Sequence, residues 1–153
     1  MRVLICIKGG SGGEPLLNSY GRLFHKSSED EVIVLHVARK VKLPTFAHGG
    51  GIGYVGFKAE AVMRDWRQNI EEVKKNAQEI CVNLGMRHKI IIRETEDNIG
   101  EAVVQAAENY EVNLIVLGSR GLGLLGRIFL GTVDDYVKTH TAIPTLIHPS
   151  LKT

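Results

Sequence analysis

Leu114-Ile-Val-Leu-Gly-Ser-Arg-Gly-Leu-Gly-Leu-Leu-Gly-Arg-Ile-Phe-Leu-Gly-Thr-Val133 is the stretch that decides the fold. It opens as an apolar β-type run, Leu114 to Leu117, breaks into five glycines within fourteen residues, and reaches Gly131-Thr132 just before a helical pattern. Strand, bare loop and helix start follow one another. Glycines at this spacing let backbone N–H groups approach a ligand without Cβ obstruction, and a helix N-terminus adds unpaired donors and the positive end of a dipole. A phosphate matches that chemistry best. The competing use of the same glycines is tight packing of a helix on a sheet.

The same unit recurs at the start of the chain. Arg2 to Ile7 is a short apolar run followed by glycines, as in a strand buried on both faces. Lys8 to Gly13 is a loop, and Pro15 in a first helical turn, with Leu16, Leu17, Tyr20, Leu23 and Phe24 on one face, predicts a helix. Val32 to Val37 is a second buried strand. Lys40 to Phe57, with Pro44 and Gly49-Gly50-Gly51, predicts a long mobile loop, and loops of that length are usually functional or disordered. Val62, Trp66, Ile70, Val73, Ala77, Ile80 and Leu84 then mark an amphipathic helix ending at Gly85.

His88 to Arg93 is a third strand. Asn98 with Glu101 forms a capping pair for a helix whose inner face is Ile99, Val103, Ala106, Ala107 and Tyr110. Leu114 to Leu117 is the fourth strand, and Thr132 with Asp135 caps a helix through about His140. Ile143 to Ile147 is the fifth strand, kept from a fully paired central position by Pro144. This alternation predicts one α/β domain over residues 1–153, an open five-stranded and mainly parallel sheet with helices on both faces. Ligands of such sheets bind outside the carboxyl ends of the strands, near the switch in strand order. The glycine loops after the first and fourth strands are therefore expected to wall one site.

Composition narrows the partners. With 44% hydrophobic and 24% charged residues and a net charge of +2, the chain carries no signature of a nucleic-acid or membrane surface. Cys6 and Cys81 form no C-x-x-C pair and suit small buried hydrophobes in a reducing compartment. No apolar run approaches a membrane span, so a soluble, cytoplasmic protein is expected. The histidines at 25, 36, 48, 88, 140 and 148 lack ligand spacing, and His36 is expected to be a satisfied residue at a strand end. No Ser-His-Asp or Cys-His arrangement suggests a dedicated catalytic base.

Leu117-Gly-Ser-Arg-Gly-Leu-Gly123 and Leu130-Gly-Thr-Val133 resemble the signature of the universal stress protein family. The opening strand, the Leu35-His-Val37 strand end, the long middle helix and the closing Ile143-Pro-Thr-Leu-Ile147 extend that resemblance along the whole chain. It implies an adenine nucleotide alpha hydrolase-like, Rossmann-like fold, a homodimer pairing the last strands, and an ATP-binding regulatory role in stress response. Position by position it implies Leu117, Gly118 and Gly121 along ribose and phosphates, Gly131, Thr132 and Val133 at the phosphate tail, and Val37 meeting adenine through its backbone. By residue type, Arg120 and Arg127 could add charge beside the phosphates or stand as solvated surface residues. Lys8 stands where nucleotide-binding members usually carry Asp, which turns an acceptor into a donor.

Other motifs carry less. Ser11-Gly12-Gly13 resembles the start of the S-G-G-x-D-S loop of ATP pyrophosphatases, but Glu14-Pro15 follows and the Asp-Ser pair is missing. The G-x-G-x-x-G strings Gly51–Gly56 and Gly121–Gly126 lack the context of a dinucleotide fingerprint. Asp134 and Asp135 could meet a phosphate-bound magnesium or merely complement a helix dipole. Two alternatives stand beside the regulatory module. One is a slow ATPase or pyrophosphatase-like hydrolase using Lys8 with Asp134 or Asp135. The other is a dimerisation module, pairing through Ile143–Ile147, that has lost its nucleotide.

Overall fold

Five parallel strands set the architecture, with β-type apolar runs at the centre of the sheet buried on both faces. In the computed structural model the described residues are 1–9, 13–26, 28–42, 52–96, 98–119 and 133–149. The elements are β1 (Arg2–Ile7), α1 (Glu14–Leu23), β2 (Glu31–Arg39), α2 (Ile52–Asn83), β3 (His88–Thr95), α3 (Ile99–Asn109), β4 (Leu114–Ser119), α4 (Val133–His140) and β5 (Thr145–Pro149). The sheet order is β3-β2-β1-β4-β5, all parallel. The chain builds outward from β1 through β2 to β3, then returns past them to β4. The order therefore switches between β1 and β4, as the doubly wound architecture requires.

Side chains alternate along the strands, and the two resulting faces have separate cores. Val3, Ile5, Ile7, Val32 and Val34 pack with Leu16, Leu17 and Tyr20 of α1 and with Val73, Ala77 and Cys81 of α2. Leu4, Ile33, Leu35 and Val37 pack with Ala102, Val103, Ala106 and Ala107 of α3 and with Val137 of α4. Both cores include residues of β1, whose Val3, Leu4 and Ile5 have no exposed surface.

Local signals explain most of the boundaries. Pro15 occupies the first turn of α1. Asn98 caps α3, its side chain accepting from the Glu101 N–H at 3.1 Å. Gly85, at φ 62°, takes the left-handed conformation that stops α2.

Three expectations need correction. The loop expected over Lys40–Phe57 is helical from Ile52 onward. Glycine costs about 1 kcal/mol in a helix interior, but an established helix extends cheaply once nucleated, and Gly53 and Gly56 are carried along. Residues 43–51 lie outside the described residues. Val62, expected on the inner face of that helix, is 41% exposed, and from residue 58 onward the first buried position of α2 is Ile70. The last strand starts at Thr145, two places after Ile143, so Pro144 precedes it. There the missing N–H costs no ladder bond, while the Pro144 carbonyl accepts from Ile115 at 2.9 Å. β5 nevertheless lies at the sheet edge, as the proline implied.

α4 is held against α3 by a close approach. A Cβ placed on Gly100 would stand 2.7 Å from Cβ and 2.8 Å from Cδ1 of Tyr136. Overpacking of this kind costs about 1–3 kcal/mol and exceeds the helix-propensity gain of at most about 1 kcal/mol from removing a glycine. Gly100→Ala is expected to lower the midpoint of urea unfolding. An unchanged or raised midpoint would show that α4 shifts freely.

Candidate functional site

β1 stops short of its neighbours. Its ladder with β2 ends at Ile7 opposite His36, and its ladder with β4 ends at Cys6 opposite Leu117. Beyond those points, among the described residues, β2 continues through Val37, Ala38 and Arg39 paired with β3 alone, and β4 continues through Gly118 and Ser119 paired with β5 alone. The result is a notch in the carboxyl edge of the sheet, with the end of β1 as its floor. Among the described residues the backbone groups of β2 and β4 facing the notch have no strand partner there, and such groups are met by other donors and acceptors.

A cavity of about 240 Å³ occupies this notch. Cys6, Ile7, Lys8 and Gly9 line it from the end of β1, His36 and Val37 from β2, and Leu117 and Gly118 from β4. Leu16 closes it from α1, Ile99 from α3, and Val133 with Asp134 from the first turn of α4. All helices except α2 contribute to this described lining, so the site straddles both faces of the sheet at the switch in strand order. The wall is mainly aliphatic, with a few polar groups, the usual composition of a small-molecule site.

Lys8, Val37, Leu117, Gly118 and Val133, singled out from the sequence, thus meet in one wall. Arg120, Gly121, Gly131 and Thr132 lie outside the described residues, as do the Thr132 cap, Arg127, the Gly121–Gly126 string and residues 10–12 of the first loop. Gly56, the last residue of the other G-x-G-x-x-G string, is inside α2. Leu16 and Ile99 were read as helix core positions, and only tertiary packing brings them to the notch. Cys6 was read as a core residue and His36 as a satisfied strand-end residue. His36 is satisfied at Nδ1, 3.2 Å from the Ile7 carbonyl oxygen, and it also lines the cavity.

Charge in the wall is sparse. Lys8 supplies a cation and Asp134 an anion; Asp134 also lies 3.9 Å from Lys138 one helical turn on, an exposed pair of little energetic weight. Asp134 and Asp135 both sit in the first turn of α4, where acids complement the helix dipole. The Cys6 residue keeps some surface, but burial raises its thiol to about 12, opposed only weakly by the Lys8 charge. The thiol is therefore a neutral, unreactive part of the wall at neutral pH.

An open parallel sheet with helices on both faces and an aliphatic notch at its switch point defines a doubly wound α/β domain. The chain belongs to the universal stress protein family, whose model it matches over residues 1–149. It is 25% identical over 146 residues to the universal stress protein YxiE of Bacillus subtilis (strain 168), a match covering 95% of this chain and 97% of the relative. Its fold is similar to that of hypothetical protein MJ0577, with a TM-score of 0.74 and 22% identity over 99% of this chain and 97% of that one. A universal stress family protein from Arabidopsis thaliana, solved with AMP bound, superposes with a TM-score of 0.65 at 13% identity, covering 97% and 92% of the two chains. Among the described residues no helix is long and apolar enough to cross a membrane.

Burial raises Cys6 to about 12 and Cys81 to about 11; burial, and then the Asp30 charge, raise Tyr20 to about 12. The folded state therefore holds protons that the unfolded chain releases, from about 9 for the thiols and 10 for the phenol. Their stabilising contribution is complete below that range and falls as pH climbs toward about 12. The melting temperature is expected to drop between about pH 8 and pH 11, and iodoacetamide at about pH 8 should leave both native cysteines unmodified by intact mass. Rapid labelling of Cys6 would contradict its desolvation.

Proposed function

We propose that the chain is a nucleotide-binding regulatory module of the universal stress type, acting in stress response as a cytoplasmic homodimer and taking ATP or a related adenine nucleotide. The observation that carries this reading is the notch above β1, with Lys8, Val37, Leu117, Gly118 and Val133 in one wall. The edge of β2 from Val37 onward offers backbone donors and acceptors to a flat base. Leu117 and Gly118 then flank the ribose. The glycine loop carrying Gly121, Gly131 and Thr132, together with Arg120 and the start of α4 at Val133, receives the phosphates.

At about 240 Å³ the cavity is smaller than the roughly 300 Å³ at which drug-sized sites begin. It suits base and sugar, with the phosphates extending to the loop. A hydrogen bond to a charged group contributes roughly 1.5–3 kcal/mol, so two or three backbone donors suffice to hold a phosphate chain. Lys8 cannot accept a bond and serves as a donor to the ligand. Magnesium would ride with the phosphates, since it binds through one or two carboxylates plus phosphate oxygens, and Asp134 is the acid in the wall. The AMP carried by the Arabidopsis relative supports the ligand class.

Nucleotide retained through purification and identified by mass spectrometry, or binding of ATP, ADP or AMP in calorimetry, is the expected result. A protein that emerges empty and ignores all three is instead a dimerisation module without a nucleotide. Gly131→Trp should weaken binding roughly tenfold or more, the loss of about one charge-assisted bond; unchanged affinity would place the phosphates elsewhere.

The placement of Asp134 and Lys8 in one cavity favours slow ATP hydrolysis as the second reading. It requires ATP turnover that disappears in Asp134→Asn and Lys8→Met; no turnover at all removes the reading, and turnover that survives both changes removes these residues from it.

Assembly follows from the sheet edge. Among the described residues β5 pairs with β4 alone and carries half-buried Leu146 and Ile147, so its outer ladder is offered to a second copy. Sedimentation at micromolar concentration should find a dimer, and a clean monomer would count against pairing through this strand.

A further inference from the structure

Asp30, His36 and the His25 side chain are buried polar or charged groups among the described residues, and of these three only His36 lines the cavity. Its Nδ1 lies 3.2 Å from the carbonyl oxygen of Ile7, the residue at which the β1–β2 ladder ends. A carbonyl oxygen only accepts, so Nδ1 carries the ring hydrogen, and in the neutral ring Nε2 is left with a bare lone pair. Among the described residues Nε2 has no hydrogen-bond partner.

The backbone of Gly9 passes close by. A Cβ placed there would stand 3.4 Å from Cε1 and 3.8 Å from Nε2 of His36, and 3.3 Å from Oδ1 of Asn69. A Cβ at position 9 would lie in ordinary contact with the ring, covering part of it, and would press on the Asn69 side chain. The bare glycine leaves the imidazole open where it meets the cavity.

We infer that Nε2 of His36 accepts a hydrogen bond from a ribose hydroxyl of the bound nucleotide, making His36 the residue that distinguishes a ribose from a deoxyribose. This rests on the nucleotide reading above. That reading puts the base at the Val37 edge of β2 and the phosphates at the loop after β4, so the sugar crosses the end of β1. The imidazole is hydrogen-bonded to the last carbonyl of that strand. Lys8, which follows it in the chain, can only donate, so it cannot take a hydroxyl hydrogen. The bond to Ile7 fixes the tautomer and orients the ring before any ligand arrives, which spares the ordering cost of an acceptor on a free side chain.

The test compares AMP with its 2′-deoxy and 3′-deoxy forms by calorimetry, on the full chain and on His36→Phe. The full chain is expected to bind AMP roughly tenfold more tightly than one of the deoxy forms, about one hydrogen bond's worth. His36→Phe should bind AMP no better than that deoxy form, losing the discrimination while keeping a cooperative melt. Nitrogen-15 NMR of the unaltered protein gives an independent reading should the variant fail to fold: the Nε2 resonance should move with AMP and stay in place with the discriminated deoxy form. Discrimination that survives His36→Phe, or an Nε2 resonance unmoved by bound AMP, overturns the inference and leaves the nucleotide reading standing. Failure of all nucleotides to bind overturns both.

Discussion

The structure depends on a central strand that must be apolar on both faces and that ends before its neighbours do. Val3, Ile5 and Ile7 belong to one core and Leu4 to the other. A polar residue at Leu4 or Ile5 would be buried without a partner, at a cost of roughly 1–3 kcal/mol even on the lenient scales. The same strand fixes the depth of the site. Had β1 continued opposite Val37 and Gly118, their backbone groups would be consumed in ladder bonds and the notch would be filled. Core and site are two consequences of where one apolar run stops and Lys8 begins.

Much of this was legible in the sequence, and the misses have physical causes. All five strands were visible as apolar runs, and the central ones, covered on both faces, need no polar alternation. The beginning of α2 was hidden because glycine-rich sequence signals a loop locally, whereas a helix of 32 residues is decided by its better-packed remainder. Val62 continues the periodic spacing but lies upstream of Ile70, the first buried position from residue 58 onward, so periodicity alone overstates the buried face. Pro144 was placed inside β5 because its neighbours are apolar; its missing N–H puts it just before the strand.

The site was legible in its backbone and less so in its side chains. Lys8, Val37, Leu117 and Gly118 could be found by following strand ends to the edge where ligands bind, and Val133 by locating the next helix start. Leu16 and Ile99 could not, since an apolar residue on a helix face carries no mark saying whether it covers sheet or cavity. His36 was read as satisfied, which holds for one of its two ring nitrogens. A buried imidazole has two polar ends, and a sequence does not tell which of them remains unmet.

The sole tryptophan of the chain stands at an informative place. Trp66 donates its indole N–H to the Arg39 carbonyl at 3.1 Å, joining the upper part of α2 to the end of β2 just past Val37. The indole therefore rests on the stretch of β2 that overhangs β1, two residues from the cavity wall. Its emission is a built-in optical reporter of that edge. Occupancy of the notch can be followed by intrinsic fluorescence without attaching a label, against no background from any other indole.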